Sequence, residues 1–412
     1  MRERDRQAAF LLLDDKGMEG CLLFVVADSI YSGSRGAEIL TDTMERMRRH
    51  LIAMHECPGI GRALLSLIVQ SGRLEEANEI REREWEDMGL KPHQVQSLLD
   101  GFRPERIEMR RRQREKGEMS VVTAFDAEYP PLLLETKDHP WVLYYRGRYE
   151  LASRPSVAVV GTRVATAYGR HASEMLSAEC AGCGLTVVSG MASGIDTSAH
   201  WGALEQPGGT IAVLATPVNK PYPYENKELY RKIGESGLLL SETPPDAVLK
   251  PYMFLERNRI IAGLALGTVV VEAAKGSGAF RTADRALAYG RDVFVVPGQI
   301  TSPRSHEIMK WLRDGAKPVI DAEDIWGEYV SQLTELTSLP MSDLLSKSGT
   351  TPSPNLSADE ASIYELLLDR PRSIDELSAS SGMTFGLLHS VLLSLLIKRR
   401  IHQEPGFVYS VL

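Results

Sequence analysis

The stretch that decides the fold begins Ser156-Val157-Ala158-Val159-Val160-Gly161-Thr162-Arg163. After a helical interval it resumes as Leu185-Thr186-Val187-Val188-Ser189-Gly190-Met191-Ala192-Ser193-Gly194-Ile195-Asp196. Each half is a short apolar run, without polar alternation, that ends at a glycine turn. Such runs suit strands buried on both faces. Between them, Ala167–Ala181 carries helical spacing and stops near Gly182 and Gly184. A helix over Ile195–Glu205 follows, then the run Thr210–Ala215, a helix over Glu225–Glu235 and the run Leu238–Ser241. A helix over Arg257–Leu264, the run Thr268–Glu272, a helix over Phe280–Tyr289 and the run Asp292–Val296 complete the series. Strands alternating with helices of about 10–15 residues define βαβ units and a parallel sheet. The fold class over about residues 120–325 is therefore α/β.

Working outward, residues 45–102 read as helical, with Pro58-Gly59-Ile60-Gly61 between two helical stretches. That turn is either a plain interhelical connection or the hairpin of a helix-hairpin-helix unit, whose amides hold a phosphate. Arg103–Lys116 is a basic run, read as a solvated helix face or as a nucleic-acid contact. Residues 1–44 fit none of these units and stand as an accessory extension or a misassigned start. Beyond the α/β region, 331–357 is rich in Ser, Thr and Pro and reads as a linker. Asp359–Leu368, Ile374–Ser380 and Thr384–Arg399 read as three helices. Pro405-Gly406 turns a hairpin between Ile401–Glu404 and Phe407–Val411. That is a winged-helix pattern, with Thr384–Arg399 as recognition helix or as a protein-contact face. The expected division is 1–44, 45–117, 118–330, 331–357 and 358–412.

Composition bounds the function. A chain of 412 residues calls for two to four domains. Its 43% hydrophobic and 25% charged residues exclude a disordered or fibrous body. Four cysteines exclude a disulfide scaffold. No apolar run reaches the about 18–20 residues that span a bilayer. Asp14 and Asp15 break the early apolar stretch, so no secretory signal is read. A cytoplasmic protein without membrane contact is expected. The net charge of −8 argues against a non-specific nucleic-acid coat. Residues 154–321, however, carry 18 Lys/Arg against 16 Asp/Glu, so the acidity lies in the flanks and a local basic groove is allowed.

Four turns sit where a parallel sheet places its strand C-termini: Gly161-Thr162-Arg163, Ser189–Asp196, the Glu242 turn, and Lys275-Gly276-Ser277-Gly278. Ligands of open α/β sheets bind in that crevice, and strand–glycine–helix turns aim backbone N–H groups at an anion. None is a Walker A loop or a GxGxxG fingerprint, so nucleotide hydrolysis and dinucleotide redox chemistry have no motif support. Arg257-Asn258-Arg259 follows Phe254, with Lys250 upstream. Arginine forks hold phosphate and phenylalanine stacks a base; the alternative is an internal ion pair with Glu242, Glu256 or Glu272. Cys180-x-x-Cys183 reads as core packing on a helix rather than a redox or half-zinc motif, and His55-x-Cys57 lacks further metal ligands. Asp196 and His200, at i and i+4, read as structural hydrogen-bonding groups or as an acid–base pair. Glu272 ends a buried strand, either locking an arginine or serving as a general acid.

Together these residues resemble the DprA/Smf family of DNA-processing proteins. The matching blocks start at Asp126-x-x-Tyr129-Pro130-x-x-Leu133 and Pro140-x-x-Leu143-Tyr144-x-x-Gly147 and run through the two halves quoted above. They continue with Tyr222-Pro223-x-x-Asn226, Phe254-x-x-Arg257-Asn258-Arg259-Ile260-Ile261-Ala262-Gly263-Leu264 and Glu272-Ala273. Ser277-Gly278-x-x-x-Thr282-Ala283 and Val296-Pro297-Gly298 close the set. The resemblance implies an extended Rossmann-like domain flanked by an N-terminal SAM or helix-hairpin-helix-like unit and a C-terminal winged-helix unit. It implies a dimer, without catalysis or cofactor, that binds single-stranded DNA and delivers it to the RecA recombinase in natural transformation. It places Arg163, Arg257, Arg259 and, more loosely, Lys250 on phosphate, with Gly161, Thr162, Ser189, Gly190, Ser277 and Gly278 as cradling turns. Phe254 and Asn258 complete the expected DNA site.

The chain departs from the family pattern at Pro217 and Asn219, at Ala279-Phe280-Arg281, and at Ser305-His306-Glu307, where one wall of the groove differs. Two other classes compete. One is a Rossmann-like enzyme that cleaves nucleoside monophosphates, with Glu272 near Ser277-Gly278. The other is a protein adaptor whose groove is vestigial.

Overall fold

The computed structural model describes residues 33–337, 357–397, 400–404 and 408–411. The readings for 1–32, most of the linker, Lys398-Arg399 and the Pro405-Gly406 turn lie outside them. Nine strands form one sheet: β1 (Ser120–Thr123), β2 (Val142–Gly147), β3 (Ser156–Val160), β4 (Thr186–Ser189), β5 (Thr210–Val213), β6 (Leu238–Ser241), β7 (Gly267–Val270), β8 (Asp292–Val295) and β9 (Lys317–Pro318). Their order is β1-β2-β6-β5-β4-β3-β7-β8-β9. From β6 to β9 every neighbouring pair is parallel. β2 joins β6 antiparallel, and β1 joins β2 antiparallel. These two strands were not expected from the sequence.

Each residue of β3, β4, β5, β6 and β7 is buried. This accounts for the unalternated apolar runs, because helices cover both faces. The chain builds β3 to β6 outward on one side, then returns to place β7 beside β3. The switch point between β3 and β7 opens a crevice at their C-terminal ends, the position where open α/β sheets take ligands.

The helices fall close to the expected spans: Ala167–Gly182, Ile195–Ala203, Lys227–Ser236, Tyr252–Leu264 and Gly278–Ala288. The fourth begins earlier than the Arg257 start read from the sequence, because Pro251 precedes its first turn. The first helix shows how locally such an end is fixed. The Thr166 hydroxyl accepts from the Gly169 amide at 3.0 Å, an N-cap that satisfies one orphan donor.

The N-terminal unit contains helices Gly33–His55, Arg62–Gln70, Glu82–Asp87, Pro92–Gly101 and Pro104–Lys116. The first runs across the expected boundary at 44–45. Leu51, Met54, Leu65, Ile68, Trp85 and Leu98 are wholly or almost wholly buried, in a core shared with Val142, Tyr144 and Leu239 of the sheet. The helical unit and the sheet are thus one packed body. Helix Val330–Thr337 occupies the start of the segment read as linker.

Beyond it, Ala358–Asp369, Ile374–Ser381 and Phe385–Ile397 surround a small sheet of β10 (Arg372–Ser373), β11 (Ile401–Glu404) and β12 (Val408–Val411), in the order β10-β12-β11. Ser357 and Ser373 each close a capping box with Glu360 and Glu376. Gly382, at φ +67°, turns between the last two helices. This is a winged-helix unit with a core of its own, including Ile363, Leu377, Leu388, Leu392 and Tyr409. Among the described residues, no single helix is long and apolar enough to cross a membrane.

Candidate nucleic-acid interface

The crevice is built by turns that follow β3, β4 and β7. After β3, Thr162 N–H donates to the Glu272 carbonyl at 2.6 Å, stitching the switch point shut from below. Gly194, at φ +86°, passes so close that a Cβ there would stand 2.4 Å from the Thr162 carbonyl oxygen. The backbone approach therefore requires glycine. Thr162 is half-buried, while Arg163 and Val164 project into solvent.

Arg163 is where charge and stacking meet. Its guanidinium lies over the Phe254 ring, 5.5 Å from the centroid. Phe254 also meets Tyr222, with centroids 5.3 Å apart. Tyr222 is 43% exposed. The strand-end crevice thus presents an arginine from the turn after β3 beside two aromatic rings, one from the loop before Asn226 and one from the first turn of helix Tyr252–Leu264. Sequence reasoning quoted Tyr222 within a motif but did not assign it to the site. Only the Phe254 contact reveals it.

Ser189 and Gly190 are closed to an anion, and their assignment as phosphate ligands is corrected. Ser189 is fully buried and donates to the Val159 carbonyl at 2.6 Å. The amides of Gly190 and Ala192 donate to Asp196 Oδ2 at 3.2 and 3.3 Å. The Met191 amide meets His200 Nε2 at 3.3 Å. Asp196 and His200 are accordingly structural: the buried carboxylate satisfies the turn from within. Burial pushes the Asp196 carboxyl up and pulls the His200 imidazole down to about 3.

The arginines of the Arg257-Asn258-Arg259 block also point inward. Arg257 is 7% exposed and donates to the carbonyl oxygens of Gly190 and Val213. Arg259 is 2% exposed; it donates to the Asp138 carbonyl and pairs with Glu242. Asn258 donates to the Gly278 carbonyl at 3.2 Å. The three hold together the turns that follow β4, β5, β6 and β7, and the internal ion pair is the reading that holds for Arg259. Their place as direct DNA ligands is corrected for the same reason: the side chains are buried and directed at protein acceptors.

The turn after β7 stays open. Lys275, Gly276 and Gly278 are exposed and Ser277 is half-buried. Ser277 caps helix Gly278–Ala288 by accepting from Ala279 N–H. Lys250 is exposed at the rim of a cleft of about 860 Å³ between the Pro58–Leu64 turn and the loop after β6. Gly161, half-buried, is constrained by packing, since a Cβ there would lie 2.4 Å from Ile195 Cγ1.

Among the described residues, Glu272 pairs with Thr166 rather than with an arginine. Its two oxygens accept from the Thr166 amide at 2.9 Å and the Thr166 hydroxyl at 2.6 Å. It thereby anchors the start of helix Ala167–Gly182 beside the crevice. Gly169 has no room for a side chain, because a Cβ would lie 2.4 Å from that carboxyl. Cys180 and Cys183 are buried in the core. His55 Nδ1 meets the Tyr144 hydroxyl at 3.1 Å. Among the described residues, no group of three or more His, Cys, Asp or Glu is placed to hold a metal. On helix Pro104–Lys116, Arg111 and Arg112 pair with Glu108, Arg106 pairs with Asp100, and Arg114 pairs with Glu56. That run is mostly a neutralised surface. Of the departing residues, Phe280 is buried and stacks on Trp311 at 5.5 Å, and Ser305 is buried under Gly298. Both changes are absorbed by packing.

A switch-point sheet with a helical unit in front and a winged-helix unit behind defines a Rossmann-like α/β protein with a winged-helix appendage. Residues 120–330 match the family model described as DNA recombination-mediator protein A, and 348–406 match the DprA winged helix domain. Protein Smf of Synechocystis sp. is 32% identical over 315 residues, which cover 70% of this chain and 79% of that protein. The DNA processing protein DprA of Streptococcus pneumoniae is 41% identical over 201 residues, 49% of this chain and 71% of that one. The X-ray structure of DNA processing protein A (DprA) from Streptococcus pneumoniae aligns with a TM-score of 0.61 at 32% identity, covering 68% of this chain and 97% of that one. The chain belongs to the DprA/Smf family of DNA-processing proteins.

Proposed function

We propose that this chain binds single-stranded DNA along the C-terminal edge of its central sheet, holding phosphates by charge and bases by stacking. The observation that carries this reading is the exposed Arg163 guanidinium set against Phe254, with Tyr222 in contact with the same ring. Arginine meets a phosphate with a fork of donors. Aromatic faces accept any base, so binding is tolerant of sequence and weakens steeply with salt. The open Lys275–Gly278 turn supplies a second phosphate contact. The names of the relatives, DNA processing proteins, support nucleic acid as the ligand.

The bound strand is protected and passed to the RecA recombinase in transformation or recombination, by a cytoplasmic homodimer acting without catalysis. In support of a non-catalytic role, the strand-end carboxylate Glu272 has both oxygens engaged by Thr166. The test is competition. A labelled single strand should be displaced by unlabelled single strand and poorly by duplex, with no free base released from nucleoside monophosphates. Equal displacement by duplex, or base release, would overturn the reading.

A further inference from the structure

Beyond the crevice, two more cation–aromatic pairs lie on the same flank. Lys227 Nζ stands 5.6 Å from the Tyr224 ring centroid, and Lys232 Nζ stands 4.9 Å from that of Trp201. Tyr224 is 74% exposed and Trp201 38% exposed. Each exposed ring thus carries a lysine ammonium over it.

The fold connects these pairs to the crevice. Tyr224 follows Tyr222, the ring that packs on Phe254, by two positions. Asn226 pins this segment down, donating to the Met191 carbonyl at 2.8 Å and to Thr197 Oγ1 at 2.9 Å. Thr197 lies about one helical turn before Trp201 on helix Ile195–Ala203. The order across the surface is therefore Arg163 with Phe254 and Tyr222, then Tyr224 with Lys227, then Trp201 with Lys232.

The two acidic groups on this helix are tied to an arginine rather than to the lysines. Arg231 takes up both Glu228 and Glu235, at 2.8 and 2.6 Å. The one arginine offsets one of these two carboxylate charges and holds both groups within their own helix, while both lysines rest on rings. A cation on an exposed ring is weakly held. It exchanges the ring for a phosphate at little cost, freeing the ring face for a base.

We infer that the single-stranded DNA path does not end at the crevice but continues over Tyr224–Lys227 and Trp201–Lys232. The partner is the same strand, and the inference rests on the crevice reading. Alternating aromatic faces and mobile cations are the chemistry that follows a single strand without regard to sequence.

The experiment is a titration of the full chain against oligothymidylates of increasing length. Wild-type affinity should go on rising beyond the shortest length that the crevice holds. The double variant Tyr224→Ala, Trp201→Ala should lose that later gain, roughly tenfold or more at the long end, with short-oligonucleotide affinity unchanged. The variant Lys227→Glu, Lys232→Glu, which leaves both rings in place, should lose the same gain and show a shallower salt dependence for long strands alone. Variants that follow the wild-type length profile would overturn the extension. A wild-type profile that binds short strands but gains nothing with length would overturn the extension alone. A wild type that binds no strand of any length would overturn it together with the crevice reading.

Discussion

The Arg257 guanidinium donates to the Gly190 carbonyl and, with the same nitrogen, to the Val213 carbonyl, tying the turn after β4 to the end of β5. Gly190 is part of the arrangement, since a Cβ there would stand 2.4 Å from Arg257 Nη1. Burial pulls the guanidinium down to about 10, so it remains charged at neutral pH, and Asp196 faces it as the opposing charge. Arg257→Ala leaves two buried carbonyls unpaired and a buried carboxyl without its cation. The expected loss of stability is about 2–5 kcal/mol, read as a lower denaturant midpoint. A variant as stable as the parent that had lost only DNA affinity would contradict the structural role.

Glu272 and Thr166 make a second such joint. Glu272→Gln replaces one of two accepting oxygens with a donor that faces Thr166. About 1–3 kcal/mol should be lost, with faster amide exchange in the first turn of helix Ala167–Gly182. Single-strand affinity should stay within about twofold of the parent, which is well under 1 kcal/mol. A large loss of affinity at unchanged stability would return Glu272 to the binding chemistry.

Two buried histidines set a pH dependence. Burial holds His55 at about 4 and His200 at about 3, against 6.5 for the free side chain. Above pH 6.5 both folded and unfolded chains carry these rings neutral. As pH falls below 6.5 the unfolded chain gains protons that the folded chain refuses, so stability declines towards pH 4. The slope approaches about 1.4 kcal/mol per pH unit for each ring. Asp196, whose carboxyl is raised, offsets part of this at the acid end. Denaturation midpoints at pH 8 and pH 5 should differ, and His55→Gln should flatten the difference. An unchanged slope in that variant would contradict the account.

What the sequence discloses and what it withholds divide along physical lines. Strands such as Ser156–Val160 are buried on both faces, and no other element of that length needs so unbroken an apolar run. The glycine turns were legible because Gly161 and Gly194 meet backbone or side chains that exclude a Cβ. Arg257 and Arg259 were not. A donor-rich block reads the same whether its donors face solvent or buried carbonyls, and only the placement of Gly190, Val213 and Glu242 decides. Tyr222 escaped for the converse reason, because its partner Phe254 is distant in the chain. β1 and β2 escaped because helix Pro131–Leu134 separates them and their antiparallel pairing breaks the βαβ rhythm.

The central claim is that Arg163 and Phe254 hold a single strand at the switch-point edge. Its most direct measurement is fluorescence anisotropy of a labelled single-stranded oligonucleotide at two salt concentrations, with the parent, Arg163→Ala and Phe254→Ala. Neither side chain is fully buried, so both variants should keep the parent's unfolding midpoint to within about 1 kcal/mol. Each should bind at least tenfold more weakly, and Arg163→Ala should show a shallower salt slope while Phe254→Ala keeps the parent's. Parental affinity and salt slope in folded Arg163→Ala and Phe254→Ala would contradict the account.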